Sequence, residues 1–194
     1  MDRIKSAFTL IELMVVIAII GLLIGILTPA LSRAKSNARR TACATNLRQV
    51  GTTLRLYMDA NHERFPFSSF MPSIGPAPLT IEKPIFVADI LVRSSKSDPE
   101  IFHCPNDQPG SDRLPPNVGL SYFQSEHSSY EFRAQIGGQK LDAVINRIQQ
   151  FTDRVVPENM FWIFRDYHNF HGAPGTNGSR RYLYIDGHVS DYEN

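Results

Sequence analysis

The sequence carries almost no net charge, +1 at pH 7 over 194 residues. That balance removes any global electrostatic argument for a nucleic-acid partner. The marks of a catalyst are missing as well. There is no phosphate-binding loop, dinucleotide fingerprint, nucleophile elbow or HExxH pair, so no enzyme is expected. Cysteine is scarce, with only Cys43 and Cys104, far apart. Neither stands at a spacing from a histidine that would mark a Cys–His nucleophile, and no spacing matches an EF-hand or a zinc motif. Internal repeats are absent, and there is no second long apolar run.

What is present starts with one apolar run, Phe8 to Leu27, FTLIELMVVIAIIGLLIGIL. As a helix it would be about 30 Å long, the thickness of a bilayer's hydrocarbon core. It holds one ionisable group, Glu12. A carboxylate at the centre of such a segment costs roughly 2.5–3.5 kcal/mol on insertion scales, so it calls for a partner and a function. A cleaved signal peptide is the bland alternative, with Arg3 and Lys5 as its basic start and Thr28-Pro29-Ala30 as its cleavage site. Signal cores are about 7–15 apolar residues, shorter than this run and not acidic. Gly21 and Gly25 form a GxxxG pair suited to close helix packing.

The residues Lys5-Ser6-Ala7-Phe8-Thr9-Leu10-Ile11-Glu12-Leu13, followed by the apolar run and Pro29, resemble the class III signal of type IV pilins and type II secretion pseudopilins. The resemblance implies a leader at 1–7, removed by a prepilin peptidase between Ala7 and Phe8, with N-methylation of Phe8. Ala7 stands where that family usually has Gly. It also implies a filament in which the Glu12 carboxylate pairs with the Phe8 amine of a neighbouring subunit, offsetting the burial of both charges. Pro29 sits where the family also has a proline. The implied partners are filament subunits of the same or related chains, the peptidase, an inner-membrane assembly platform and the membrane itself. The implied location is the inner membrane, single-pass, with the rest of the chain in the periplasm. Arg33, Lys35, Arg39 and Arg40, with Arg48 beyond, would by a positive-inside count argue for the opposite orientation. The expectation here is that they lie on a continuing helix rather than in a loop.

That helix should run from about residue 9 to 60. Leu47, Val50, Leu54, Tyr57 and Met58 recur at helical spacing, opposite Arg48, Gln49, Thr52 and Arg55. Asn61 reads as a cap, and Pro29 should kink or open the helix. The boundaries are a membrane or filament-core helix at 8–28, its packed continuation at 29–61, and an α/β head at 62–194. Residues 62–83 read as a surface loop. Helices are expected near 84–93, with Pro84 in the first turn, and from Leu141 through Phe151. Residues 105–119 should be loop. Strands are expected at 129–134, 160–167, 181–185 and 188–192, the last two joined by a two-residue Asp186-Gly187 turn of type I′. The fold class is α+β: a pilin-like long N-terminal helix, half in the membrane and half packed, on a small antiparallel-sheet head.

The tail is similar to the ending of a large bacterial pseudopilin-like group, in which a His precedes an Asp-Gly-His-Val by about nine residues. Here Asp186-Gly187-His188-Val189 fits, with His171 as the upstream candidate, although fourteen residues separate it from Asp186, so either the loop carries an insertion or His171 is not the equivalent residue. FHCPND around Cys104 also looks like this group. Asp166, His168, His171, Asp186 and His188 are metal-capable. Some pseudopilins bind calcium through C-terminal loops, so Asp166, His171, Asp186 and His188 form a candidate site for calcium or another metal. Otherwise no cofactor is expected. The competing reading is an Asp-Gly turn with histidines at strand ends. A disulfide between Cys43 and Cys104 is permitted if the head lies outside the inner membrane, and two unpaired buried thiols are the alternative. Two other functions fit the residues: a membrane-tethered extracytoplasmic domain that binds a metal or polysaccharide, and a DNA-uptake subunit using the Arg33 to Arg40 cluster.

Overall fold

A computed structural model describes residues 10–70, 73, 84–110, 117–152, 160–173, 175–176 and 178–191. Helix α1 spans Leu10–Ala60 and runs unbroken through Pro29. Pro29 has no N–H for the Gly25 carbonyl, and just before it the Thr28 hydroxyl donates to the Ile24 carbonyl at 2.8 Å. The chain divides into two compact units, Met1–Ala38 and Arg39–Asn194.

In the first unit every described residue is exposed. In the second, α1 becomes amphipathic. Cys43, Leu47, Val50, Leu54 and Met58 are buried, while Arg48, Gln49, Thr52 and Arg55 face out, as the periodicity requires. The helix stops because His62 and Glu63 both take positive φ. The Glu63 N–H donates back to the Met58 carbonyl, and Asn61 Nδ2 donates to the Tyr57 carbonyl at 2.7 Å.

The segment after α1 departs from the expected surface loop. Phe65 and Pro66 are fully buried, because the chain is bonded to the lead-in of α4. The Phe65 N–H donates to the Gln139 carbonyl, and the Gly138 N–H donates to the Phe65 carbonyl. Residues 71–72 and 74–83 of the expected loop lie outside the described residues. Helix α2 is Val87–Ser95, beginning after Phe86. Pro84 therefore precedes the helix rather than opening its first turn. A short 3₁₀ turn, Pro99–Phe102, is capped by Asp98, whose side chain accepts the Glu100 N–H. Helix α3, Tyr122–Glu126, has a Ser121/Gln124 capping box. Helix α4 is Leu141–Thr152 and seats Val144 in the core.

The sheet is a four-stranded antiparallel meander in the order β1-β2-β3-β4. The strands are β1 Tyr130–Phe132, β2 Trp162–Asp166, β3 Arg181–Tyr184 and β4 Val189–Asp191, shorter than the β-rich stretches of sequence. Phe164, opposite Leu183 and Phe132 in register, is fully buried. A Cβ at Gly51 would come within 3.0 Å of Leu183 Cδ1, so α1 approaches β3 closely at that glycine. Trp162 is half-buried, with the guanidinium groups of Arg133 and Arg165 over its ring at 4.7 and 4.6 Å.

The final hairpin forms, with a different turn from the expected one. Leu183 pairs with Val189, the Tyr184 N–H donates to the His188 carbonyl, and the Gly187 N–H donates to the Tyr184 carbonyl. The loop is three residues, 185–187, with positive φ at Gly187 and not at Asp186. A type I′ turn needs positive φ at both central positions, whereas a three-residue loop needs it only at the last. Gly187→Ala should cost about 1 kcal/mol, the strain of a side chain in the left-handed region, read by urea unfolding of the full chain in detergent.

Cys43 and Cys104 are joined by a disulfide across 61 positions, tying α1 to the segment before α3. In the chain-entropy description a loop of that length stabilises by about 4 kcal/mol. A Cys43→Ser, Cys104→Ser chain should lose most of that in the same unfolding experiment. A loss under about 1 kcal/mol would show that the bridge adds little beyond packing.

Candidate functional site

Two regions carry functional side chains. The first is the start of α1. Glu12 lies in its first turn, where a negative charge is favoured by the helix dipole. Around and after it, Leu10, Ile11, Leu13 and Ile17 are between 55 and 75% exposed, and the exposed apolar surface continues to Leu27. Among the described residues one helix, α1, is long and apolar enough to cross a membrane. A Cβ at Gly21 or Gly25 would meet nothing within 4 Å, so among the described residues the GxxxG face is open. An uncovered apolar surface of this extent marks a membrane or protein contact. Ala7 and Phe8, the expected cleavage pair, lie outside the described residues.

The second region is a buried polar seam in the head, next to the disulfide. Asp107 is 2% exposed. Its carboxylate accepts the backbone N–H groups of Tyr122 at 3.0 Å and Phe123 at 2.7 Å, and the Ser129 hydroxyl at 2.7 Å. It thereby caps α3 from a distant loop. Ser129 Oγ in turn accepts the Cys104 N–H at 2.9 Å. Tyr130 donates its hydroxyl to the Cys43 carbonyl at 3.1 Å. Burial first, then the charges of Asp166 and Asp107, push the Tyr130 phenol well above its ordinary value.

Asp166 and His171, two of the four expected metal residues, meet in this seam. Both side chains are wholly buried, with His171 Nε2 3.4 Å from Asp166 Oδ2. Asp166 Oδ2 also accepts the Arg181 N–H at 2.7 Å, while Asp166 Oδ1 has no hydrogen-bond partner among the described residues. On the other side of the ring, His171 Nδ1 lies 3.0 Å from Asn106 Nδ2. With that amide donating, Nδ1 accepts and Nε2 carries the proton. Burial raises the Asp166 carboxyl above its ordinary value, against the opposing pull of His171 and Arg181.

Asp186 and His188 pair instead with each other at the hairpin, Nδ1 to Oδ1 at 2.6 Å, both partly exposed. His188 also stacks on Tyr184, with ring centroids 4.3 Å apart. His168 lies among Tyr122 and Phe170. The four residues thus fall into two pairs, Asp166 with His171 and Asp186 with His188. Asp186 also lines a cleft of about 700 Å³ beside α1, together with Arg48, Gly51, Arg55, Leu183 and Tyr184. Asn106 and Asp107 were visible only inside the FHCPND resemblance. A buried carboxylate in a proline-rich loop has no periodicity to announce it.

Residues 2–28 match the family described as Prokaryotic N-terminal methylation motif. That agrees with the prepilin resemblance drawn from FTLIE and the apolar run. The match covers the start of the chain and not the head. No curated protein and no solved structure matches the chain.

Two outcomes follow for the seam. Asp107→Ala strands three buried donors and should cost about 3 kcal/mol, measured by urea unfolding. Asp166 has its carboxyl raised in the fold, so its contribution is fully present below the unfolded carboxylate value of about 3.9 and is lost as pH rises through the folded value. Asp166→Asn should therefore lose less stability than the parent chain as pH rises from about 4. Parallel pH profiles would contradict this.

Proposed function

We propose that this chain is a structural subunit of a type II secretion or type IV pilus-type filament, without catalytic activity. The observation that carries the reading is the methylation motif at 2–28 continuing into an apolar helix that its own chain leaves exposed. In this reading a prepilin peptidase cuts between Ala7 and Phe8, and Phe8 is N-methylated. The helix sits first in the inner membrane and then in a filament core, with the head in the periplasm. The new amine on Phe8 and the carboxylate on Glu12 of the adjacent subunit set the stagger between neighbours. A charge pair removed from water requires both partners, and loss of one costs about 3–5 kcal/mol.

Glu12→Ala in native cells tests this directly. The variant should still partition into membranes, because the apolar run is intact. Its sedimentable or cross-linkable assemblies should fall by about a hundredfold, as a loss of about 3 kcal/mol per subunit contact implies. Normal assembly by the variant would overturn the register role. A second reading, a membrane-tethered head that binds a ligand, draws on the 700 Å³ cleft with Arg48 and Arg55 at its wall. It predicts that the unaltered chain forms no assemblies in those same cells.

A further inference from the structure

The buried disulfide has a histidine against it. The Sγ atoms of Cys43 and Cys104 and a ring nitrogen of His171 all lie within 4.8 Å of one another. Cys104 Sγ is 3.8 Å from His171 Nε2, and that nitrogen is 3.4 Å from Asp166 Oδ2. Around a tetrahedral zinc ion, with bonds of about 2.3 Å to sulfur and 2.0–2.2 Å to nitrogen and oxygen, neighbouring donor atoms sit about 3.4–3.8 Å apart. The 3.8 Å between Cys104 Sγ and His171 Nε2 is in that range, so the imidazole already stands at ligand spacing from Cys104 before any ion arrives. Beside this group Asp166 is a fully buried carboxylate whose Oδ1 has no hydrogen-bond partner among the described residues.

The geometry points to a redox-gated zinc site, in which the reduced head binds one Zn²⁺ through Cys43, Cys104 and His171. Disulfide and metal exclude one another, because the bonded sulfurs offer no thiolate. A dithiol reductant delivers two electrons and two protons to the bridge and leaves as its own cyclic disulfide. Zn²⁺ then displaces both thiol protons, and two thiolates cancel its charge. His171 moves its proton from Nε2 to Nδ1, where the Asn106 amide, turned over, accepts it through Oδ1. Asn106 is thus a positioning residue, holding the ring in the tautomer that ligates. A newly made chain whose thiols have not yet been oxidised would use the same site, so metal or bridge can tie α1 to the FHCPND segment. This inference concerns the head alone and does not depend on filament assembly.

The test uses the full chain in detergent, reduced, freed of reductant without oxygen, and titrated with Co²⁺ as a spectroscopic stand-in for zinc. The expected result is a thiolate-to-cobalt charge-transfer band that saturates at one ion per chain, is bleached by Zn²⁺, and is absent from the unreduced chain. Asn106→Ala should bind about 10–100-fold more weakly, and His171→Ala more weakly still. Circular dichroism is followed in the same titration. If reduction alone unfolds the head, the ion must restore its helical signal as the band appears. No thiolate–cobalt band in the reduced chain, folded or unfolded, would overturn the site. A band of undiminished affinity in His171→Ala would overturn it equally, since a bare dithiol would then be the ligand.

Discussion

An apolar helix one bilayer long, left uncovered by its own chain, dictates the rest of this molecule's behaviour. From Leu10 to Leu27 the described side chains face outward, and water will not tolerate that much apolar surface. Lipid can cover it, and so can other copies of the same helix. Glu12 separates these two solutions. In lipid the carboxylate is only a cost. Between packed helices it becomes useful as soon as a positive group is placed opposite, and cleavage before Phe8 would create one. The same segment thus suits storage in a membrane and assembly out of it.

The head answers a different constraint. Its sheet strands are short, and buried polar interactions join the elements around them. One disulfide joins α1 to the chain at Cys104. One carboxylate, Asp107, holds the start of α3 and Ser129 together. Asp166 and His171 bind the end of β2 to the loop before β3. These groups are contiguous, and each is buried, so each unmade bond would be expensive. The metal inference belongs to this seam, where two sulfurs and an imidazole nitrogen lie within 4.8 Å of one another.

Much of the architecture was legible in the sequence, for identifiable reasons. The long helix declared itself by its apolar run and then by the Leu47-Val50-Leu54-Met58 stripe. The last hairpin did so through Asp186-Gly187, although the turn proved one residue longer, because only Gly187 takes positive φ. Phe65 and Pro66 read as loop because proline-rich composition hides burial that is set by bonds to residues 138 and 139, far along the chain. The seam was the least legible part. Asp107, Asn106 and Tyr130 are brought together by tertiary bonds, and the four residues expected as one metal set fall into two pairs, Asp166 with His171 and Asp186 with His188. Spacing along a chain cannot report which loops meet.

The filament reading is tested most directly by N-terminal mass spectrometry of the protein taken from native membranes. It predicts a mature chain that begins at N-methylated Phe8. A chain still beginning at Met1 would lack the Phe8 amine that the filament reading places opposite Glu12, and a start near Ala30 or Leu31 would make the apolar run a discarded signal. Either result would contradict filament assembly through this helix.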